Sequence, residues 1–268
     1  MSVVVAAIAA FDRDGDTADD PEQQHADGQV DEGHGHRHEH QPEQRESQMS
    51  YSLIANTSAG GSSSTVTTGA IETTGADLLI VVVGRYQAES AASLIDSKGN
   101  SWTELTQSEE VGSARCSIFY CQGGTVGLNH TFTYEGTSVY VSVAVAAFSG
   151  SAATPFDQEN GASSPSTNSL ATGSITPSED NELVIAGFSS NSGETISINA
   201  SMTITDQEPY VGGNSFSVAL AYIIQTTAGA INPSWSWTST AAAAARIASF
   251  KASAGAPPAA FLPRIIVI

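Results

Sequence analysis

His130 is the one histidine after residue 50, so any chemistry that needs a base near neutral pH has to start from it. It sits in an alternating strand-like run, His130-Thr-Phe132-Thr-Tyr134. No Gly-x-Ser-x-Gly turn surrounds any serine, so a Ser-His-Asp hydrolase lacks its nucleophile elbow. Carboxylates come next. A sandwich glycosidase holds two of them about 5 to 9.5 Å apart across a groove. Glu109 and Glu110 are adjacent and diverge on a strand, and the E-x-D-x-x-E strand of concanavalin-like glucanases is missing. Asp157 and Glu159 could converge only from a loop. Catalytic residues are therefore not expected, with a glycoside hydrolase using Asp157 and Glu159 as the remote alternative.

The same loop oxygens suit a hard cation. Asp157, Glu159 and Asn160 form the candidate calcium cluster, with Asp96 and Asn100 in a second loop. No cofactor is required, and Ca²⁺ in loops is the one expected if any. Asp12-Arg-Asp14-Gly15-Asp16 imitates a calcium loop, but its glycine falls at position 4 and position 12 is Gln23. His34, His36, His38 and His40 would bind Zn²⁺ or Ni²⁺ weakly in any flexible chain. Aromatic rings are the remaining handle. Trp102, Tyr134 and Trp237 are the candidate sugar-stacking set. Trp235 with Trp237, and Phe132 with Tyr134, each share one strand face. The i, i+2 spacing favours a core face for them, and Trp102, just after a turn, is the better candidate for exposure.

The elements that would position these residues are strands. Residues 1–50 hold 12 of the 28 acidic residues and 5 of the 6 histidines, with almost nothing apolar from Asp12 to Gln48. This stretch should be a disordered acidic, His-rich extension. Val3–Ala10 has no basic residue before it and makes a poor signal peptide, and Met49-Ser-Tyr-Ser reads like a natural start. Residues 51–253 are expected to be all-β, with apolar or alternating runs at 77–86, 114–120, 130–134, 138–148, 181–188 and 215–225. Residues 150–169 read as a polar loop, and 254–268 as a Pro-rich then apolar tail. Cys116 and Cys121 point to opposite faces of one strand, so neither a disulfide nor a metal knuckle is expected.

A self-comparison is the most informative feature. Val66–Ile80 matches Leu170–Val184, Ser117–Tyr120 matches Ala219–Tyr222, Phe132 and Tyr134 fall on Trp235 and Trp237, and Phe148 falls on Phe250. The two halves span about 53–150 and 163–253. The repeat also makes the alanine run 241–245 a strand despite its helical composition, because it falls on 138–148. The fold class is then a two-sheet antiparallel β-sandwich of jelly-roll type with an internal duplication. One sandwich whose halves are the two copies is favoured over two tandem sandwiches.

The order Asp77-Leu-Leu-Ile-Val-Val-Val, Asp96-Ser-Lys-Gly-Asn-Ser-Trp102-Thr, Val-Ala-Ala-Phe148-Ser-Gly and Thr154-Pro-Phe-Asp157 resembles jelly-roll, concanavalin-like β-sandwich proteins. These occur among bacterial extracellular proteins and tailed-phage virions. The resemblance implies binding or assembly, and a virion or extracellular location. Net charge of −19 argues against nucleic acid, and no apolar run is long enough to span a bilayer. The expected function is a non-enzymatic structural or adhesive sandwich, a virion-surface or extracellular assembly component. It would form oligomers with itself or other structural subunits through Phe261, Leu262, Ile265, Ile266, Val267 and Ile268. The alternative is a carbohydrate-binding module for a surface glycan.

Overall fold

A computed structural model describes residues 50–254, apart from 87–92, 107, 111–112, 138–139, 211 and 213–214, and for 109, 110 and 210 it describes only the backbone. The N-terminal extension and the C-terminal tail with its six assembly residues lie outside the described residues. The described chain is antiparallel β-structure throughout. Its strands are β1 (Ser52–Gly61), β2 (Thr65–Thr67), β3 (Leu78–Arg85), β4 (Ser93–Asp96), β5 (Thr103–Glu104), β6 (Ser108–Glu110), β7 (Ala114–Gln122), β8 (Phe132–Glu135) and β9 (Val141–Ser149) in the first half. The second half has β10 (Ser151–Ala171), β11 (Glu182–Ser190), β12 (Ser197–Ile198), β13 (Thr203–Tyr210), β14 (Phe216–Gln225) and β15 (Ser234–Ala252).

The duplication is visible as topology. One large sheet runs β1-β9-β3-β7-β5 and the other β10-β15-β11-β14-β13. A small sheet β2-β8-β4 has its counterpart in the end of β10, the start of β15 and β12. The strands β10 and β15 thus do continuously what β1 with β2, and β8 with β9, do in two pieces. This winding within each half is that of a jelly roll.

The two architectures left open by the sequence coexist. The large sheets face each other, one from each half, across a shared core of Leu78, Ile80, Val82, Ile118, Phe148, Leu183, Ile185, Leu220 and Phe250. Each large sheet is also backed by its own small sheet. Val81, Val83, Phe132, Tyr134 and Val143 fill the first gap, and Val184, Phe188, Trp235, Trp237 and Ile247 fill the second. That stacking explains the unbroken apolar runs, since a strand covered on both faces needs no polar alternation. All eight residues of β3 and all nine of β11 are buried.

Strand pairing also corrects the internal alignment. Leu78 and Leu183 stand opposite Phe148 and Phe250, so the true counterpart of Leu183 is Leu78 and not Leu79. A one-residue slip would send every side chain of the strand to the other face. Likewise Val66 pairs with Tyr134 and Leu170 with Trp235, which equates Tyr134 with Trp235.

The loop expected at 150–169 is instead the first part of β10, paired along β15 from Ser151↔Ala252 onward. Its polar composition reflects an edge position, where one side chain in two faces solvent. The turn into it rests on Gly150, whose φ is 99°. A Cβ there would lie 2.8 Å from the Ser50 carbonyl oxygen. The Asp77 carboxylate accepts hydrogen bonds from Gly150 N and Ser151 N, both 3.0 Å, and so ties the junction to the first half. The alanine run is strand, as the repeat required. Its small side chains alternate between the shared core and the core behind it.

Candidate functional site

His130 is fully buried, in an isolated bridge to Ile71 just ahead of β8. Its Nε2 lies 3.4 Å from Asp96 Oδ1 and its Nδ1 2.9 Å from Thr73 Oγ1. With the proton on Nε2, Thr73 donates to Nδ1 while accepting from Gly127 N at 3.0 Å. Burial lowers the imidazole pKa, and the Asp96 charge and hydrogen bond only partly counter it. Burial would raise the Asp96 carboxyl, but hydrogen bonds from Lys98 N, Asn100 N and the Asn100 side chain outweigh it, and the pKa falls. The arrangement has the members of a triad without access to them. It pins the β4 turn to β8.

Asp96 is also where Trp102 goes. Its Nε1 donates to Asp96 Oδ2 at 3.0 Å and its ring packs edge-on to Phe132, so it is half-buried. Tyr134 is fully buried and Trp237 is 7% exposed. The sugar-stacking set is thus corrected: two of its rings are core, packed where a strand face meets a covering layer, and their faces cannot meet a glycan. Asp96 and Asn100 do not form a cation loop either, because Asn100 bridges to Thr125 through both its side-chain atoms.

The expected calcium cluster on β10 separates as well. Asp157 accepts from Ser178 N and Oγ, both 2.9 Å, and lies 3.6 Å from Lys251 Nζ. Burial would raise its pKa, but the Ser178 hydrogen bonds and Lys251 hold the carboxyl below its usual range. Its neighbour Glu182, wholly buried, is pushed up by burial and by the Asp157 charge. Glu159 turns to other partners: the Arg246 guanidinium, Thr106 N at 3.0 Å and Thr106 Oγ1 at 2.8 Å. Asn160 donates to Ser174 O at 2.8 Å. The carboxylates that were candidates for metal binding or for glycoside hydrolysis are braces, each facing a different segment. Among the described residues no group of three or more His, Cys, Asp or Glu could hold a metal ion.

Glu159 and Arg246, on the paired strands β10 and β15 of the second half, together brace the first half through Thr106 and Ser108. Arg246 occupies the place of Ala144 in the first half, since the two stand opposite Gly187 and Val82. It is 6% exposed and also reaches Ser108 Oγ at 3.4 Å. The sequence offered no sign of it, because the pair depends on the register of β10 along β15.

Beside this brace, at the seam where β5 and β7 meet β10, lies an open pocket of about 310 Å³. Tyr120 and Phe156 line it, with rings stacked at 6.1 Å and 15°. Ser101, Thr103, Gln122 and Thr154 supply its polar rim. Both cysteines are free and buried, one in the shared core and one behind it, as the strand period required. Burial pushes the Cys116 thiol up to about 12, so it is inert as a nucleophile. No protein-family model matches the chain, and no curated protein or solved structure is significantly similar to it.

Proposed function

We propose that this protein is a non-enzymatic structural or adhesive β-sandwich, a component of a virion surface or another extracellular assembly. The observation that carries the reading is the employment of its polar chemistry: His130, Asp157 and Glu159, the groups best suited to catalysis, are each held in a contact that joins segments of the fold. Each already has its partners inside the fold, which favours a positional role over a chemical one.

The outer faces support the same reading. Thr67 and Thr133 hydroxyls meet at 2.9 Å on one small sheet, and Ser169 with Ser234 at 3.1 Å and Ser197 with Ser236 at 2.8 Å on the other. Hydroxyl ladders already satisfied within the sheet can lie against another subunit without burying an unpaired charge. The partners would be further copies or other structural subunits, engaged through residues 261–268.

Light scattering behind a sizing column, on the full chain and on the chain shortened to residue 255, tests this. A defined oligomer that the shortened chain loses while staying folded is the expected result. Two monomers at high concentration would overturn the assembly role.

A further inference from the structure

The pocket at the seam exists because the two halves are not identical. The first half's large sheet closes over the second so that β1 covers β13, eight residues long, at one seam. At the other seam β10 meets β6 and β7, where the edge beside β7 is built from two short strands, β5 and β6. The halves otherwise repeat their ring contacts. Tyr120 meets Phe250 at 5.4 Å and 63°, and its counterpart Tyr222 meets Phe148 at 5.2 Å and 65°. At the β1 seam the next position holds Leu53, half-buried against the core. At the β10 seam that position is Phe156, which is 37% exposed. A benzyl ring stands there in place of an aliphatic side chain and is more exposed than its counterpart.

The rest of the lining points to one ligand chemistry. Among the described residues no charged side chain lines the pocket. Ser101, Thr103 and Thr154 are exposed, and Gln122 is half-buried. A stacked aromatic pair with hydroxyl and amide groups at its edge, and no fixed charge, complements a pyranose ring. The ring's C–H face lies on the aromatic surface and its equatorial hydroxyls take the polar rim. An apolar ligand would leave that rim unpaired, and an anion would meet no cation among the described lining residues.

We propose that this pocket, built on Phe156 and Tyr120 with Gln122, Thr103, Ser101 and Thr154, binds one neutral hexose or N-acetylhexosamine unit of a surface glycan. The inference deepens the adhesive reading and rests on it for its use, while the pocket's chemistry does not depend on self-association. The contact area of one ring corresponds to a Kd of about a millimolar.

Saturation-transfer NMR and calorimetry on the full chain, with the methyl glycosides of glucose, galactose, mannose, N-acetylglucosamine and glucuronic acid, test it. At least one neutral glycoside should bind with saturable transfer from aromatic protons. Phe156→Ala should weaken it at least tenfold with the near-ultraviolet CD of a folded chain retained, and Ile95→Ala, on an outer face, should leave it unchanged. If Phe156→Ala does not fold, Thr103→Ala with Thr154→Ala is read in its place, and a several-fold loss is required. The proposal is overturned by no binding to any neutral glycoside, by unchanged binding in these pocket variants, or by preference for the glucuronide. Light scattering on the same samples keeps the two readings apart, because loss of sugar binding with oligomers intact removes the pocket and leaves the assembly.

Discussion

Arg246 is a buried cation, and Glu159 is the reason it is tolerated. An arginine buried between sheets without its carboxylate leaves a desolvated charge, which costs about 3–5 kcal/mol when a buried pair is broken from one side. Glu159 is 24% exposed, so the loss for Glu159→Ala should fall at or below the lower end of that range, about 2–3 kcal/mol, read as a lower urea midpoint at unchanged slope. Replacing both partners, Glu159→Gln with Arg246→Met, should recover more than half of it, because no charge then stays buried. His130 supplies a second expectation. Its folded pKa lies below the unfolded value, so the unfolded chain binds more protons as pH falls through about 6.5. Its contribution is fully present above that pH and is lost on acidification. His130→Gln should therefore lose less Tm between pH 7 and pH 5 than the parent chain does, by calorimetry at both values.

At the scale of elements, β13 carries a penalty that titration exposes. Burial raises the carboxyls of Asp206 and Glu208, and the Asp206 charge adds to the effect at Glu208. A raised carboxyl gives its stability below the unfolded pKa and loses it as pH rises through the folded one. Asp206→Asn with Glu208→Gln should raise Tm by about 2–4 °C at pH 7 and by nothing at pH 4. A gain that persisted at pH 4 would assign it to something other than charge. This strand was not among the runs evident in the sequence, and the reason is physical. The doubly covered strands β3, β9 and β11 are legible because every position but Arg85 and Glu182 is apolar or small. The edge strands β1, β10 and β13 mix Ser, Thr, Asp and Gly, since pairing along one side and partial cover are enough to hold them. The repeat was legible, yet its register was off by one at Leu183, because the turn 176–181 carries an extra residue that only the pairing reveals. The pocket was hidden for a related reason: Phe156 and Tyr120 come together only where sheets from different halves end.

At the scale of the whole molecule, the facing sheets meet through positions that are each other's counterparts. Gly187 corresponds to Val82, and a Cβ on Gly187 would lie 2.9 Å from Val82 Cγ1. Gly84 corresponds to Ser189, and a Cβ on Gly84 would lie 2.9 Å from Ser189 Oγ. Gly187→Val should therefore cost about 1–3 kcal/mol by overpacking. Adding Val82→Gly should restore part of it by reversing which half holds the bulk, and a double-mutant cycle in urea measures that coupling. The wider consequence concerns recognition between chains. Two first halves brought face to face would set valine against valine, and two second halves would leave a hole where glycine met glycine. Only unlike halves fit, so a newly made chain can close on itself or trade halves with a neighbour, but it cannot lock onto its own likeness. The complementarity acts as a key cut into the molecule's middle, and it rejects the commonest wrong partner in a duplicated protein, which is the other copy of the same half.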